Sequence, residues 1–145
     1  MQDPLMTEAT IQAELYHHCR LLGLRAVLEY NTPVGRMDLV VLTPDGKAIV
    51  AGVECKRPTT HTGRRRDEHY TANSRQVNRY RTTGITMLTL ISFEGAKELA
   101  HLIRLMLVTK SETHISIESI HSIERAPRKR KVRCVELDPD LIFRQ

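Results

Sequence analysis

The sequence predicts a single α/β domain, in which helices flank a central mixed sheet in the order αβββαβα and a C-terminal β-hairpin follows. Apolar residues recur at helical spacing over residues 8–22 and 94–108. Residues 25–54 alternate short β-branched runs with turn signals, and residues 85–92 form a further apolar run of strand length. At 145 residues the chain is long enough for one domain with a core and short for two.

The first helix is predicted over residues 8–22. Thr7 is a residue type that caps helix N-termini, and Gly23 is the type that most often ends a helix. One face of the segment is apolar and carries Ile11, Leu15, Cys19 and Leu22. We expect this face to pack on the sheet.

Three short strands are predicted next, as a meander. Residues 25–30, 36–42 and 48–54 are rich in β-branched and other apolar residues. The Asn-Thr-Pro sequence at 31–33 separates the first two strands, and the Pro-Asp-Gly sequence at 44–46 separates the second from the third. The short connections indicate antiparallel neighbours.

The rest of the core is predicted as a loop, a helix, a strand and a helix. Residues 58–70 are polar and arginine-rich, which favours a mobile loop. A helix over residues 72–82 then ends before Gly84. The apolar strand at 85–92 and the amphipathic helix at 94–108 complete a core assigned to residues 1–110.

The sequence changes character beyond residue 110. Isoleucines recur at positions 115, 117, 120 and 123, and residues 131–137 again have an extended pattern. We therefore predict a β-hairpin, with residues 111–145 as a basic appendage packed on the core. Between its two strands, residues 125–133 hold six cationic residues and no acid.

Composition favours a polyanionic partner and a reducing compartment. The chain carries 22 Lys and Arg residues against 17 Asp and Glu residues, a net charge of +5. Its three cysteines are far apart and lack CxxC spacing, which argues against a disulfide framework and a zinc ribbon. The apolar runs at 85–93 and 102–108 are too short or too polar to span a bilayer.

The residues that indicate chemistry lie on the hairpin of the second and third predicted strands. Asp38 precedes the turn, and Glu54 and Lys56 follow it with Cys55 between them. Alternate strand residues share a face, so Glu54 and Lys56 project together, and strand pairing brings Asp38 to the same end of the sheet. Two carboxylates beside an ammonium suit Mg²⁺ or Mn²⁺, with the Cys55 carbonyl as a further oxygen and Lys56 positioning or activating water. The alternative is an exposed polar row on an edge strand.

This motif order resembles the PD-(D/E)XK nuclease superfamily, in which an Asp and a Glu-x-Lys pair lie on a β-hairpin beside a helix that contributes another Glu. Asp38, Glu54 and Lys56 match that pattern, whereas Met37 stands where the motif name has Pro. The segments most similar to the VRR-NUC (virus-type replication-repair nuclease) branch are residues 7–12, 35–40 and 54–58, with the later Gln76. The resemblance covers roughly residues 7–92 and implies a restriction-endonuclease-like core.

The acid of the first helix can be chosen by geometry as well as by resemblance. At the helical repeat, Glu8 lies on the face that meets the sheet, whereas Glu14 lies about a third of a turn away. Glu8 also occupies the position of the family's helix Glu, so we expect Glu8, in preference to Glu14, as a catalytic and metal-binding residue. The resemblance gives Gln76 a catalytic role towards metal-bound water or a phosphate. A solvent-facing glutamine is the alternative.

Two basic stretches are expected to bind nucleic acid. Residues 56–81 hold eight cationic residues against two acids, and residues 125–133 form a second arm. With no Trp and two Phe, the chain favours duplex or branched DNA held by its backbone over base stacking. Ordinary solvated segments are the alternative. The candidate phosphate contacts are Arg57, Arg64, Arg65, Arg66, Arg75, Arg79, Arg128, Lys129, Arg130 and Lys131.

These features together predict a Mg²⁺-dependent endodeoxyribonuclease of DNA repair, recombination or mobile-element biology, with Mn²⁺ able to substitute. A minimal domain reaches one strand, so double-strand cutting would need a homodimer or higher homo-oligomer. The alternatives are a homing or restriction endonuclease, a Holliday-junction resolvase, a non-catalytic nucleic-acid-binding subunit, or RNA as the substrate. We expect an intracellular, cytoplasmic, nucleoid-associated protein.

Overall fold

The computed structural model describes residues 7–58 and 63–123, with the backbone alone for residues 66–74. A five-stranded sheet is flanked by helices, as the sequence predicts. The elements are α1 (Glu8–Leu21), β1 (Arg25–Thr32), β2 (Gly35–Leu42), β3 (Ala48–Cys55), α2 (Gly63–Arg81), β4 (Met87–Leu90), α3 (Ala96–Thr109), a 3₁₀ turn (Ser111–Thr113), β5 (Ile115–Ser116) and α4 (Ile117–His121).

Local chemistry explains the ends of the first elements. The Thr7 hydroxyl accepts a hydrogen bond from the backbone N–H of Thr10 at 3.1 Å, which caps α1, and Gly23 with φ +76° follows its end. In the turn between β2 and β3, the Asp45 carboxylate accepts from the backbone N–H of Lys47 at 2.9 Å. A hydrogen bond from a backbone N–H to the side chain of an Asp two residues earlier is typical of tight turns.

The sheet is mixed. Strands β1, β2 and β3 pair antiparallel in sequence order, and β4 pairs parallel with the second half of β3. Strand β5 pairs antiparallel with the first two residues of β3. The αβββαβα order and the mixed sheet are therefore confirmed.

The core has one apolar cluster on each face of the sheet. Helices α1 and α3 cover one face, where Leu15 and Ile103 are fully buried. Helices α2 and α4 cover the other face, where Tyr80 and Ile120 are buried. Strand β3 lies between these layers, and seven of its eight residues are buried, so any charged group on it is removed from water.

The prediction of a loop over residues 58–70 is wrong from residue 63 onwards, because α2 begins at Gly63. The segment lacks the apolar period that marks a helix, and its buried residues in the last turns are Val77 and Tyr80. Arginine, however, is a good helix former, and no proline interrupts residues 63–81. Propensity rather than amphipathicity accounts for the early start.

The prediction of a C-terminal hairpin is also wrong for the first of its two strands. Residues 114–123 form the two-residue β5 and the short helix α4, whose cap is the Ser116 hydroxyl accepting from the backbone N–H of Ser119 at 3.4 Å. Ile120 is buried against the sheet from a turn of helix, whereas the isoleucine spacing predicts a strand. The predicted second strand at 131–137 and the basic run at 125–133 lie outside the described residues.

Within residues 7–58 and 63–123, no helix combines the length and the apolar character needed to cross a membrane. Of the predicted appendage, the described part is joined to the core, since β5 extends the edge of β3. The division at residue 110 stays a prediction.

Candidate active site

The hairpin of β2 and β3 places Asp38 opposite Glu54. Leu39 pairs with Val53, and one step further along this register the two acids face each other. The backbone N–H of Asp38 donates to the Glu54 carboxylate at 3.2 Å. In return, the backbone N–H of Cys55 donates to the Asp38 carboxylate at 2.7 Å. We call these two acids the Asp38–Glu54 pair; each carboxylate is fixed by the backbone of the other strand.

Burial makes this pair electrostatically costly. Glu54 is 3% exposed and Asp38 is half-buried. Burial first, and the charge of Asp38 second, raise the pKa of Glu54 from its ordinary 4.5 to about 7. Burial also raises the pKa of Asp38, although the hydrogen bond from Cys55 opposes the shift. The two acids therefore form a buried, negatively charged position that a cation would stabilise.

Helix α1 brings a third acid to this end of the sheet. The Glu8 carboxylate lies 3.8 Å from the Lys56 ammonium and accepts a hydrogen bond from the backbone N–H of Arg57 at 3.4 Å. Its charge also raises the pKa of Asp38 and of Glu54. The alternative acid, Glu14, instead pairs with His18 at 3.1 Å. The structure thus places Glu8, and not Glu14, beside the pair.

Lys56 follows the last residue of β3. Its backbone N–H donates to the Leu90 carbonyl at 2.8 Å, so parallel pairing with β4 continues past the strand end and fixes its position. The Lys56 charge lowers the pKa of Glu54, which places the ammonium near the Asp38–Glu54 pair as well as near Glu8. The Lys56 side chain is 25% exposed. Lys56 is therefore a partly buried cation between the helix acid and the strand acids.

Helix α2 lies on the face of the sheet opposite to α1, and it contributes Tyr80 and Gln76. Tyr80 is buried, and its hydroxyl donates to the Arg36 carbonyl at 2.5 Å. Gln76 is half-buried and hydrogen-bonds the Tyr80 hydroxyl. Burial raises the pKa of Tyr80, and the charge of Glu54 adds to the shift, so the hydroxyl lies towards the acids. Gln76 is thus linked through Tyr80 to the backbone of β2 at Arg36.

Two residues of this region were not predicted from the sequence. Glu29 on β1 lies between Leu28 and Tyr30, which pair with Leu39 and Met37 of β2. It binds Arg36, with 3.3 Å between the carboxylate and guanidinium atoms. Glu29 also accepts a hydrogen bond from the Gln12 amide at 3.5 Å. The sequence signal was the pair of charged residues on neighbouring strands, but its use requires the register of β1 against β2.

The predicted basic residues that the structure describes are at the surface. Arg57, Arg64, Arg65, Arg75 and Arg79 are all exposed. The Arg66 side chain and the cluster at 128–131 lie outside the described part of the chain. Arginines at a protein surface are the groups that bind the phosphates of a polyanion.

Among the described side chains, no group of three or more His, Cys, Asp or Glu residues is close enough to hold a metal ion. The Asp38–Glu54 pair supplies two oxygen donors, and Glu8 is within electrostatic reach but bonded to Lys56 and Arg57. In comparisons with protein-family models, curated proteins and solved structures, no match to this chain is found.

Replacing Glu54 by glutamine is expected to stabilise the metal-free protein at pH 8, by an amount on the order of 3 kcal/mol. The amide oxygen can still accept from the backbone of Asp38, but the buried charge is gone. Folding raises the pKa of Glu54 from 4.5 to about 7, so between these pH values the folded state binds a proton that the unfolded state has released. The contribution of this proton to the free energy of unfolding is complete below about pH 4.5 and is lost as the pH rises through 7.

Urea unfolding in EDTA between pH 4.5 and pH 8 measures this difference. The wild type should lose stability relative to Glu54→Gln as the pH rises, and the two curves should converge at the acid end. Glu98→Gln, at an exposed position in the first turn of α3, is the matched control. Parallel curves for wild type and Glu54→Gln would contradict the electrostatic account of the pair.

Proposed function

We propose that this chain is a small Mg²⁺-dependent nuclease of the PD-(D/E)XK type that hydrolyses phosphodiester bonds of DNA, with Mn²⁺ able to substitute. The observation that supports it best is the Asp38–Glu54 pair, fixed on adjacent strands at one sheet end with Lys56 two residues beyond Glu54. The position of Glu8 beside Lys56 adds the helix acid that this type of site uses.

The fold is consistent with this proposal. Helix α1, the meander β1 to β3, helix α2 and the parallel strand β4 follow one another in the order of a restriction-endonuclease-like core. Asp38 and Glu54 lie on its second and third strands and Lys56 directly follows the third, as in the VRR-NUC branch that the sequence resembles. The fold alone does not fix activity, so the proposal depends on the site.

The donor set suits a hard divalent cation. Asp38 and Glu54 offer carboxylate oxygens, and burial raises the pKa of each although the charges of Arg36 and Lys56 oppose the shifts. These two residues, with the Cys55 carbonyl and Glu8, would hold the metal. When bound, it would neutralise charge on the phosphate and favour ionisation of water.

The other residues then have distinct tasks. The Lys56 ammonium positions the attacking water and stabilises negative charge. In the reaction the water oxygen bonds to phosphorus, the bond from phosphorus to the leaving oxygen breaks, and the water protons pass to the leaving oxygen and to solvent. Gln76, hydrogen-bonded to Tyr80, would contact the substrate or its water from α2.

The exposed arginines support a nucleic-acid substrate. Arg57 directly follows Lys56, and Arg64, Arg65, Arg75 and Arg79 lie on the surface of α2, so a backbone of phosphates could follow them to the site. One such site cuts one strand, and we propose a homodimer or higher homo-oligomer for cutting of duplex or branched DNA.

The test is cleavage of linear, single-stranded, flapped and four-way DNA, and of a matched RNA duplex, in Mg²⁺, Mn²⁺ or EDTA. Metal-dependent cutting of DNA is expected, and the preferred substrate would identify the structure recognised. The Asp38→Asn variant, purified in parallel, excludes a contaminating nuclease. Binding with no cutting of any substrate would overturn the proposal in favour of a non-catalytic binding subunit, and preferential cutting of RNA would change its substrate.

A further inference from the structure

Arg36 is a cation beside the proposed site that the nuclease pattern does not account for. It lies on β2 two residues before Asp38. Its side chain is 63% exposed, and its guanidinium is 3.3 Å from the Glu29 carboxylate. Its charge lowers the pKa of Asp38, which places the guanidinium near that acid. Arg36 is therefore both accessible and adjacent to the Asp38–Glu54 pair.

The backbone of Arg36 is fixed from the protein interior. The buried Tyr80 donates its hydroxyl hydrogen bond to the Arg36 carbonyl at 2.5 Å. A Cβ atom at the preceding Gly35, where φ is +142°, would lie 2.8 Å from the Tyr80 hydroxyl oxygen. Glycine at position 35 thus permits the close approach that holds Arg36 in place.

The side chain of Arg36 is oriented by Glu29. Among the described residues, Glu29 is the one non-glycine residue with positive φ, at 53°. A residue with a Cβ adopts this conformation only when its surroundings impose it. Here the adopted backbone allows the Glu29 carboxylate to bind Arg36 and to accept from the Gln12 amide.

An ion pair this exposed contributes little to folding stability, so stability alone is a weak reason for the arrangement. A guanidinium, by contrast, matches the geometry of a phosphate and can bind two of its oxygens at once. Glu29, at 54% exposed, can release Arg36 to a stronger anion at small cost.

We propose that Arg36 binds a phosphate of the nucleic acid next to the Asp38–Glu54 pair, and that Glu29 is a positioning residue that holds the guanidinium in place before the substrate arrives. This inference rests on the proposed nuclease function and names a substrate contact within that same site.

The first experiment compares wild type, Arg36→Ala, Arg36→Lys and the control Arg104→Ala, at an exposed position on α3. In Mg²⁺, Arg36→Ala should lower kcat/KM for DNA cleavage by roughly ten- to a hundredfold, the usual worth of a hydrogen bond to a charged group. Arg36→Lys should fall between, since it keeps the charge and loses the bidentate fork. Equal values for Arg36→Ala and Arg104→Ala would overturn the inference.

A second readout separates this inference from the proposed function. Binding of a fluorescent DNA duplex in EDTA requires no cleavage, and Arg36→Ala should weaken it more than Arg104→Ala does. If the wild type cuts nothing but this difference appears, the nuclease proposal fails while the phosphate contact stands. If the wild type cuts and the two variants bind and cut alike, the contact fails while the nuclease stands.

The role of Glu29 is tested by a double-mutant cycle. If Glu29 acts through Arg36, Glu29→Gln should lower kcat/KM in the wild type and have no further effect in Arg36→Ala. Additive losses would show that Glu29 acts independently of Arg36. Thermal unfolding of all variants checks that the differences in kcat/KM do not follow stability.

Discussion

The Asp38→Asn substitution is expected to lower metal-dependent cleavage by about a thousandfold or more, while DNA affinity stays within a few fold of wild type. The amide oxygen of asparagine can still accept from the backbone of Cys55, so the β2–β3 pairing is kept. What is lost is the negative charge that, with Glu54, would hold the cation. In the proposed complex the phosphate contacts would come mainly from arginines outside the pair, so binding should change little.

Cleavage rates, DNA binding by fluorescence anisotropy and Mn²⁺ binding by calorimetry measure the three parts of this expectation. Glu98→Gln removes an exposed carboxylate from α3 and should behave as wild type in all three. Unchanged cleavage by Asp38→Asn would refute the assignment of the site. Lost DNA binding would instead indicate that the acid supports the fold or the basic surface.

The main features of this site are local in sequence, which is why the sequence predicts them. Asp38 and Glu54 belong to one hairpin whose turn is marked by proline and glycine, so pairing of its two strands is enough to bring them together. Glu8 follows from the helical repeat, because the buried residues Ile11 and Leu15 define which face of α1 meets the sheet.

The features that the sequence did not predict depend on weaker or longer-range signals. The early turns of α2 have no apolar period, and composition alone did not distinguish an arginine-rich helix from a loop. The isoleucines at 115–123 have high strand propensity, but burial of Ile120 under α2 and the sheet favours a turn of helix there. The Glu29–Arg36 contact requires both the β1–β2 register and an unusual backbone angle at Glu29.

Alanine at position 56 is expected to lower kcat for cleavage by roughly a hundred- to a thousandfold, the usual cost of removing one group that stabilises charge in a transition state. The Lys56 ammonium lies 3.8 Å from the Glu8 carboxylate and close enough to Glu54 to lower its pKa. Alanine removes this cation from the position where water would attack. KM should change less, because one phosphate contact among many is lost.

Lys47→Ala is the matched control, since Lys47 is an exposed lysine of the same hairpin at its opposite end. It should cleave as wild type. Wild-type kcat in Lys56→Ala would mean that this lysine serves Glu8 as an ion-pair partner and takes no part in the reaction. Lysine is a flexible point charge, so Lys56→Arg is expected to restore charge without restoring the rate.

The two variants together distinguish binding of the metal from use of the metal. Lys56→Ala keeps both strand carboxylates, so Mg²⁺ or Mn²⁺ should still raise its unfolding temperature although cleavage is lost. Asp38→Asn should lose both the stabilisation and the cleavage. If the metal stabilises neither variant, Lys56 is needed to keep the acids in place, and its loss of activity cannot be assigned to chemistry. If the metal stabilises both, Asp38 is not a principal ligand and the cation must depend on Glu54 and Glu8.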